Sequence, residues 1–240
     1  MGEDKAIHLG HPSYVWRYGQ DRRLAMIDQY APLAGQRVLD VGCGIGAYVR
    51  KMGALGAAAY GVDVDEDKVR QAHADLDLVC ASAAEQLPFP DGAFGRVLLH
   101  EIIEHVNDDR QSIREACRVL GPGGRMVIFA PNRLYPFETH GAYWGGAYHF
   151  GNIPMVNYLP HRWRKRFCPH VRAYTRGDIR ALYQGLPVRL VVHTQVYPGY
   201  DKIAHRRPRL ARLLRQITYL LEHTPLRALG LSHLVVLEKE

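Results

Sequence analysis

The sequence predicts an α/β fold in which helices cover both faces of a parallel sheet. Short apolar segments of strand length alternate with amphipathic segments of roughly ten residues, the pattern of strands joined by helical crossovers. The first apolar segment runs into the glycine-rich stretch DVGCGIGA, which is typical of a tight turn between a strand and a helix. Because parallel strands must be connected by crossovers, these two observations predict one α/β layer structure.

Each element is justified by its own pattern. RVLDVGCG (37–44) is an apolar run that ends in glycine, as a buried parallel strand does. A helix from about Ala47 to Leu55 follows, and then a strand at 58–65 whose end carries acidic residues. The other elements expected in the first half are helices at 66–74 and 109–120, the second ending at Gly121-Pro122, and strands at 76–82, 95–100 and 124–132.

The second half predicts one further helix and the last two strands. TRGDIRALYQG (175–185) begins with a capping box formed by Thr175 and Asp178 and stops at Gly185. VRLVVHTQVY (188–197) and HLVVLEKE (233–240) have the composition of strands.

Composition predicts a globular domain in a reducing compartment. The 240 residues are 47% hydrophobic and 23% charged, which is ordinary for one domain with a large core. No stretch has the form of a signal peptide or the length of a membrane span. The four cysteines are scattered without a C-x-x-C motif, so the sequence favours neither zinc nor a disulfide framework, and we expect a cytoplasmic protein.

The glycine turn is the first candidate ligand site. In sheets of this kind ligands bind beyond the carboxyl ends of the strands, where Gly42 and Gly44 let a backbone turn tightly and be approached closely. Asp63 follows about twenty residues later, at the end of the second strand, where a carboxylate can accept both ribose hydroxyls. The motif fits G-x-G-x-G and, through Ala47, also the dinucleotide pattern, so these residues alone leave the nucleotide class open.

Four segments, in this order along the chain, narrow the class of nucleotide: VLDVGCGIG, YGVDVD, AEQLPFPDGAFGRVLLHEIIEHV and REACRVLGPGGRMVIFAPN. Over residues 35–132 they closely resemble the class I S-adenosylmethionine-dependent methyltransferases, and most of all the group that includes the quinone-biosynthesis enzymes. The resemblance implies a Rossmann-like seven-stranded sheet, mostly parallel with an antiparallel last strand. It implies one domain over 1–240, divided into an N-terminal cover (1–34), a cofactor-binding core (35–132), an aromatic-rich substrate-covering insertion (133–174) and C-terminal helices and strands (175–240).

The resemblance also implies which residues bind S-adenosylmethionine. It places Asp63 at the ribose hydroxyls, Val64 against the adenine, and His100 where the fourth strand meets the methionine end. Around the methionine part it places Asp40, Gly42, Gly44 and Gly46. Members of the family often have an aspartate for the adenine amino group where this sequence has Ala83, so the Ala84 backbone or Ser82 is expected to take its place.

The segment HEIIEH (100–105) has the residue types of a metal site. It does not match H-E-x-x-H, because Glu104 stands where the second histidine should be, and on a regular helix His100 and His105 point roughly 140° apart. On such a helix, Glu101, Glu104 and His105 share one face.

In the resembling family this segment has two roles. In many members it caps a helix and lines the floor of the active site, whereas in ubiquinone O-methyltransferases and small-RNA 3′-end methyltransferases it resembles a divalent-metal site. The metal hypothesis assigns Mg²⁺, Mn²⁺ or Zn²⁺ to Glu101, Glu104, His105 and His140. The metal-free hypothesis makes His105, His140 and Glu138 the catalytic acid–base candidates.

Residues 134–174 contain ten of the chain's 23 aromatic residues. Aromatic walls with a few polar groups suit a small-molecule pocket, and in the family this segment covers the substrate. A satellite core under a long loop is the alternative. The aromatic residues of this segment include Tyr135, Phe137, Tyr143, Trp144, Tyr148, Phe150 and Trp163.

Positive charge is concentrated in the second half of the chain. The net charge is +7, yet residues 1–130 carry four more acidic than basic residues, and 131–240 carry eleven more basic than acidic. Residues 206–221 combine a leucine-rich stripe at helical spacing with five arginines (Arg206, Arg207, Arg209, Arg212 and Arg215). Such a helix either packs on its own domain or lies on an anionic membrane. Nucleic acid would attract the same charges, but no RNA-binding module is recognised.

The sequence therefore predicts S-adenosylmethionine-dependent methyl transfer to a small, aromatic or lipid-like acceptor, with O-methylation favoured. A metal-dependent RNA 2′-O-methyltransferase is the first alternative. A cofactor-binding scaffold without catalysis is the second.

Overall fold

The computed structural model describes residues 16–240. Its strands, in chain order, are β1 Arg37–Val41, β2 Ala58–Asp63, β3 Val79–Ala81, β4 Phe94–His100, β5 Leu120–Pro131, β6 Phe137–Glu138, β7 Ala142–Trp144, β8 Ala147–His149, β9 Ile153–Pro154, β10 Val188–Val196 and β11 Ser232–Lys239. Its α-helices are α1 Tyr18–Tyr30, α2 Ala47–Ala54, α3 Glu66–Ala72, α4 Asp109–Val119, α5 His161–Phe167, α6 Arg176–Tyr183, α7 Asp201–Arg206 and α8 Pro208–Leu221.

Seven strands form the main sheet, in the order β10-β11-β5-β4-β1-β2-β3. Neighbours among β1 to β5 pair in parallel, and β11 pairs antiparallel with both β5 and β10. The predicted seven-stranded, mostly parallel sheet with an antiparallel last strand is confirmed. The chain leaves β1 toward β2 and β3 and returns to β4 on the other side, so the strand order reverses between β1 and β4 and opens a crevice at their carboxyl ends.

The alternation of side chains along the central strands builds a core on each face of the sheet. Leu39 and Leu99 pack on one face with Ile113 of α4, while Val38 and Leu98 pack on the other with Met52 of α2. Each such fully buried aliphatic side chain contributes about 1.5–3 kcal/mol relative to an exposed one. Helices therefore cover both faces, as predicted.

Three regions show the main differences from the sequence prediction. The third strand covers only Val79–Ala81. The fifth begins at Leu120, directly after α4, because Leu120 already has extended dihedral angles and the register against β4 shifts between Phe94 and Arg96 to accommodate the glycines that follow.

The third difference concerns residues 101–107, which form turns and bends rather than a helix. Glu101 has a φ of 54°, in the left-handed region, and α4 begins only at Asp109, with the Asp108 side chain accepting from the Gln111 backbone N–H at 2.9 Å. The expectation that Glu101, Glu104 and His105 share one helical face is therefore wrong.

The insertion has its own small core. Buried Ala142, Cys168 and Val171 pack together beneath two short antiparallel pairs, β6 with β9 and β7 with β8. Part of the predicted satellite core thus exists. Within residues 16–240, no helix is both long enough and apolar enough to cross a membrane.

Candidate active site

The turn after β1 is locked to the end of β2. Gly44 donates its backbone N–H to Asp63 Oδ2 at 2.8 Å, and the other oxygen of Asp63 accepts the Asp65 backbone N–H at 2.9 Å. Gly42, Gly44 and Gly46 all have positive φ angles, of 79°, 54° and 79°. A Cβ at Gly42 would lie 2.7 Å from the Ile102 side chain, whereas one at Gly44 would meet nothing within 4 Å. Gly44 therefore has open space beside it, where a ligand can approach the backbone.

The carboxylates next to this turn have different environments. Asp40 is 3% exposed, and its burial, together with the nearby charge of Asp63, raises its pKa to about 8. Asp63 itself is 8% exposed, and each of its oxygens accepts one backbone N–H. The turn thus lies beside a predominantly protonated carboxyl, that of Asp40, at neutral pH.

The residues predicted to contact the adenine lie just beyond β2 and β3. Val64 is 73% exposed, which is unusual for a valine and leaves an apolar surface free for a flat ring. Ala83 is half-buried and Ala84 is buried, and the Ser82 hydroxyl donates to the Gln86 carbonyl at 2.8 Å.

His100, at the end of β4, is neutral. Its Nε2 lies 2.9 Å from Arg23 Nη1 and 3.3 Å from the Tyr48 hydroxyl. Because a guanidinium can only donate, Nε2 accepts and the ring proton is on Nδ1. Burial, and then the charge of Arg23, lower the pKa of His100 to about 3.

Arg23, from α1, was not predicted as a site residue. It donates to His100, to Glu101 Oε1 at 2.8 Å and to the Ser232 hydroxyl at 2.9 Å, and it lies over the Phe129 ring. Nothing in the local sequence of α1 distinguishes this arginine from Arg22 beside it. Only the docking of the N-terminal helix on the sheet edge brings it to the site.

The pKa values of Glu101 and Glu104 are shifted in opposite directions. Burial raises the pKa of Glu101, but the charge of Arg23 and the Ser232 hydrogen bond at 2.7 Å more than offset this and lower it to about 2. Glu104 is 1% exposed, and neither carboxylate oxygen has a hydrogen-bond partner within the described chain. Burial, and then the charge of Glu101, raise the pKa of Glu104 well above its usual value.

Three of the four predicted metal-binding residues come together. Ligand atoms of Glu104, His105 and His140 lie within 4.8 Å of one another, and the rings of His105 and His140 are 5.3 Å apart. Glu101 is not part of this group, because Arg23 and Ser232 hold its carboxylate.

Glu138 and His140, just after β5, are also linked. Glu138 is 2% exposed, and its Oε1 accepts from the His140 backbone N–H at 2.9 Å and lies 3.1 Å from the His140 Nδ1. Burial opposes ionisation of Glu138, but His140 and Arg164 lower its pKa to about 2. Arg164, which sequence reasoning also missed, is a buried arginine of α5.

A cavity of about 70 Å³ opens beside these groups at the carboxyl end of β5. Its lining includes Arg23, Glu101, Tyr135, Phe137, Glu138 and Ser232. Of the insertion's aromatic residues, Tyr135 and Phe137 line it, whereas Trp144, Phe150 and Trp163 are 46 to 60% exposed and do not. The start of the insertion, rather than these exposed residues, thus lines the cavity.

Comparisons with known proteins fit this architecture. A family model described as a methyltransferase domain matches residues 39–128. The ubiquinone biosynthesis O-methyltransferase of Caulobacter sp. (strain K31) is 35% identical over 221 residues, covering 88% of this chain and 82% of that protein. The protein of the same name from Thiobacillus denitrificans is 35% identical over 118 residues, or 46% of this chain. The chain spans about half the length of this relative and of two others so named.

A solved structure shows the same fold. The S-adenosylmethionine-dependent methyltransferase from Mesorhizobium loti superposes with a TM-score of 0.63 and 20% sequence identity, covering 90% of this chain and 96% of that chain. The sheet order, the glycine turn with its acidic partner, and the extended match to the Caulobacter protein lead to one conclusion. This chain belongs to the class I S-adenosylmethionine-dependent methyltransferases.

Proposed function

We propose that this protein transfers the methyl group of S-adenosylmethionine to a hydroxyl oxygen of a small acceptor that is aromatic or lipid-like. One observation carries the proposal: the glycine turn after β1 and the Glu104, His105 and His140 group lie at the same edge of one sheet. A sulfonium methyl group and an acceptor oxygen bound at these two places can face each other. The relatives named as ubiquinone biosynthesis O-methyltransferases support oxygen as the methylated atom.

The cofactor is proposed to lie along the crevice between β1 and β4. Asp63 accepts the ribose hydroxyls, and Val64 packs on the adenine with Ala83 and Ala84 at its edge. The turn of Gly42, Gly44 and Gly46 lies against the methionine part, which approaches the backbone at Gly44. Protonated Asp40 and neutral His100 flank the methionine end, where each can hydrogen-bond to a ligand.

The transfer breaks the bond between sulfur and the methyl carbon and forms a bond between the methyl carbon and the acceptor oxygen. The hydroxyl proton leaves to a base. Alignment of the two reactants supplies most of the rate enhancement, and His140 or His105 is positioned to take the proton. Glu138 is a poor base, because its pKa is held at about 2.

The donor set fits a divalent cation. The unpartnered, buried carboxylate of Glu104 and the imidazoles of His105 and His140 offer the mixed oxygen and nitrogen ligands that Mg²⁺, Mn²⁺ and Zn²⁺ accept. When bound, such an ion would lower the pKa of the acceptor hydroxyl. Glu101 is left to anchor Arg23 beside the cavity.

An aromatic acceptor needs more room than the cavity now offers. A cavity that holds benzene measures roughly 150 Å³, about twice the 70 Å³ seen here. Tyr135 and Phe137 line the cavity from the insertion, so an acceptor of that size requires this segment to be displaced.

Peripheral membrane contact through residues 206–221 belongs to the same proposal. Only Ala211 of α8 is buried, and a stripe at spacings of three and four residues is exposed: Leu210, Leu213, Ile217 and Leu220, each 40 to 69% accessible. The apolar face of α8 thus packs on the domain only in part, and its outer side is exposed to solvent. Four arginines beside it are exposed: Arg206, Arg207, Arg209 and Arg212.

Arg215 does not belong to that surface. Its guanidinium donates to the Gly199 carbonyl at 2.7 Å and lies over the Tyr18 ring at 3.8 Å. Near an anionic bilayer the four exposed arginines would contribute about 1 kcal/mol each before screening, and insertion of the leucines would add to this. A lipid-like acceptor is located in the membrane, so an enzyme bound at the membrane surface can reach it.

The acceptor class is tested by methyl transfer from isotopically labelled S-adenosylmethionine. The purified protein is incubated in parallel with a lipid extract, with a soluble dihydroxybenzene and with total RNA. Label in the lipid or phenolic fraction supports the proposal. Label confined to RNA favours the RNA 2′-O-methyltransferase alternative, and no label in any fraction, with cofactor bound, favours the scaffold; neither alternative is favoured by the relatives described above.

A further inference from the structure

His140 is held from several sides. Its backbone N–H donates to Glu138 Oε1 at 2.9 Å, and its carbonyl accepts from the Tyr148 hydroxyl at 2.5 Å. The next residue, Gly141, has a φ of 82°, and a Cβ there would lie 2.6 Å from the His149 carbonyl oxygen. The backbone around this histidine is therefore fixed more tightly than a surface loop requires.

The carboxylate beside His140 is held as firmly. Arg164 Nη2 donates to Glu138 Oε2 at 2.5 Å. Arg164 is itself 5% exposed, and it donates through Nε to Asn157 Oδ1 at 3.1 Å and through Nη1 to the Val171 carbonyl at 2.9 Å. Each end of this ion pair is thus completed by further hydrogen bonds.

A buried ion pair is a weak source of stability, because desolvation of the two charges offsets their attraction. Here Oε2 of Glu138 takes Arg164, whereas Oε1 accepts the His140 backbone N–H and also lies 3.1 Å from Nδ1 of the same histidine. The pair is therefore arranged toward the histidine.

The oxygen 3.1 Å from His140 Nδ1 belongs to a carboxylate that is paired with Arg164, and such an oxygen accepts hydrogen bonds, so Nδ1 must carry the proton. We propose that Glu138, held by Arg164, is a positioning residue that fixes His140 as the Nδ1–H tautomer and leaves the Nε2 lone pair free for the reaction. The catalytic consequence rests on the proposed function, whereas the tautomer does not. Carboxylates that hold a histidine in this way orient both catalytic bases and metal ligands.

The inference assigns roles that the sequence left open. Glu138 does not act as the base but holds the residue that does. A free lone pair on Nε2 is what His140 needs both to take a proton from an acceptor hydroxyl and to join Glu104 and His105 around a cation. Arg164, some distance along the chain in α5, becomes part of the site.

Nitrogen NMR of ¹⁵N-histidine-labelled protein tests the tautomer directly. The spectrum is recorded with EDTA at alkaline pH, and the His140 signals are identified by their loss in His140→Gln among the 13 histidines. A protonated, pyrrole-type Nδ1 and an unprotonated, pyridine-type Nε2 support the proposal. A proton on Nε2 in the wild type overturns it.

Kinetics test the consequence. Glu138→Gln should lower kcat by about 10- to 100-fold, the usual loss when a second-layer partner of a histidine is removed, with cofactor affinity and KM unchanged. Glu138→Asp, which keeps a carboxylate, should recover part of the loss. Glu115→Gln is the matched control, since Glu115 also binds an arginine and a backbone N–H, but on α4. An unchanged kcat in Glu138→Gln overturns the positioning role.

The two proposals fail in different ways. If the wild type shows the expected tautomer but methylates no acceptor, the proposed function fails and the tautomer assignment stands. If the enzyme turns over and Nε2 carries the proton, only the positioning role fails.

Discussion

Replacement of Asp63 perturbs the proposed cofactor site most directly. In the structure its two oxygens already accept the backbone N–H groups of Gly44 and Asp65, so the carboxylate is oriented before any ligand binds. Hydrogen bonds to a charged group are worth about 1.5–3 kcal/mol, and each 1.4 kcal/mol changes an affinity tenfold. Asp63→Ala removes the proposed ribose contact and the anchor of the glycine turn together.

We therefore expect Asp63→Ala to bind S-adenosylhomocysteine at least about tenfold more weakly, and toward a hundredfold if both ribose hydrogen bonds are lost. Asp63→Asn keeps the size and one acceptor oxygen, so its loss should be smaller. Stability without cofactor should fall as well, because the two backbone hydrogen bonds to Asp63 are lost.

Isothermal titration calorimetry measures the affinity, and thermal unfolding without ligand confirms that each variant is folded. Asp65→Asn is the control, because Asp65 caps α3 and asparagine caps a helix equally well. An unchanged affinity in Asp63→Ala would place the cofactor elsewhere. An equal loss in Asp65→Asn would mean that charge near the turn, rather than the ribose contact, governs binding.

Three further predictions concern the metal group, the outer face of α8 and Asp40. Equilibrium dialysis against Mn²⁺ or Zn²⁺ should find one ion bound by the wild type and none by Glu104→Gln. Glu66→Gln, at an exposed glutamate, is the control and should bind like the wild type. Equal binding by all three proteins would refute the metal site. The protein should sediment with anionic vesicles at low salt and be released as salt rises, and changing the four exposed arginines of residues 206–212 to glutamine should abolish this. If that variant still sediments with the vesicles, and sedimentation is lost when the basic residues of α5 are changed instead, the membrane contact lies in the insertion. The folded protein keeps the Asp40 proton up to about pH 8, whereas the unfolded chain releases it near 3.8, so the free energy of unfolding from urea titrations should fall as the pH rises through this range. Asp40→Asn should remove this part of the pH dependence. An identical pH dependence in both proteins would show that Asp40 is already ionised in the folded protein.

The sequence by itself determined the sheet and the meeting of the glycine turn with Asp63. Strand length, apolar runs and the glycine turn are local properties, and the carboxyl ends of parallel strands meet at one edge whatever the loops do. Asp63 could be placed beside Gly44 for that reason, and the structure has them 2.8 Å apart. His140 and Glu138 were placed near the HEIIEH segment by the same rule.

Tertiary structure decided the rest, because those features depend on contacts between distant parts of the chain. Arg23 reaches Ser232 across 209 positions, and Arg164 reaches Glu138 from another helix, so neither is marked by its neighbours in sequence. The left-handed backbone at Glu101 replaced the expected helical face with a turn and gave its carboxylate to Arg23. Helical spacing shows that α8 is amphipathic, but it does not show which side the domain covers. That depends on what packs beside the helix, and here Leu213 and Leu220 remain outside.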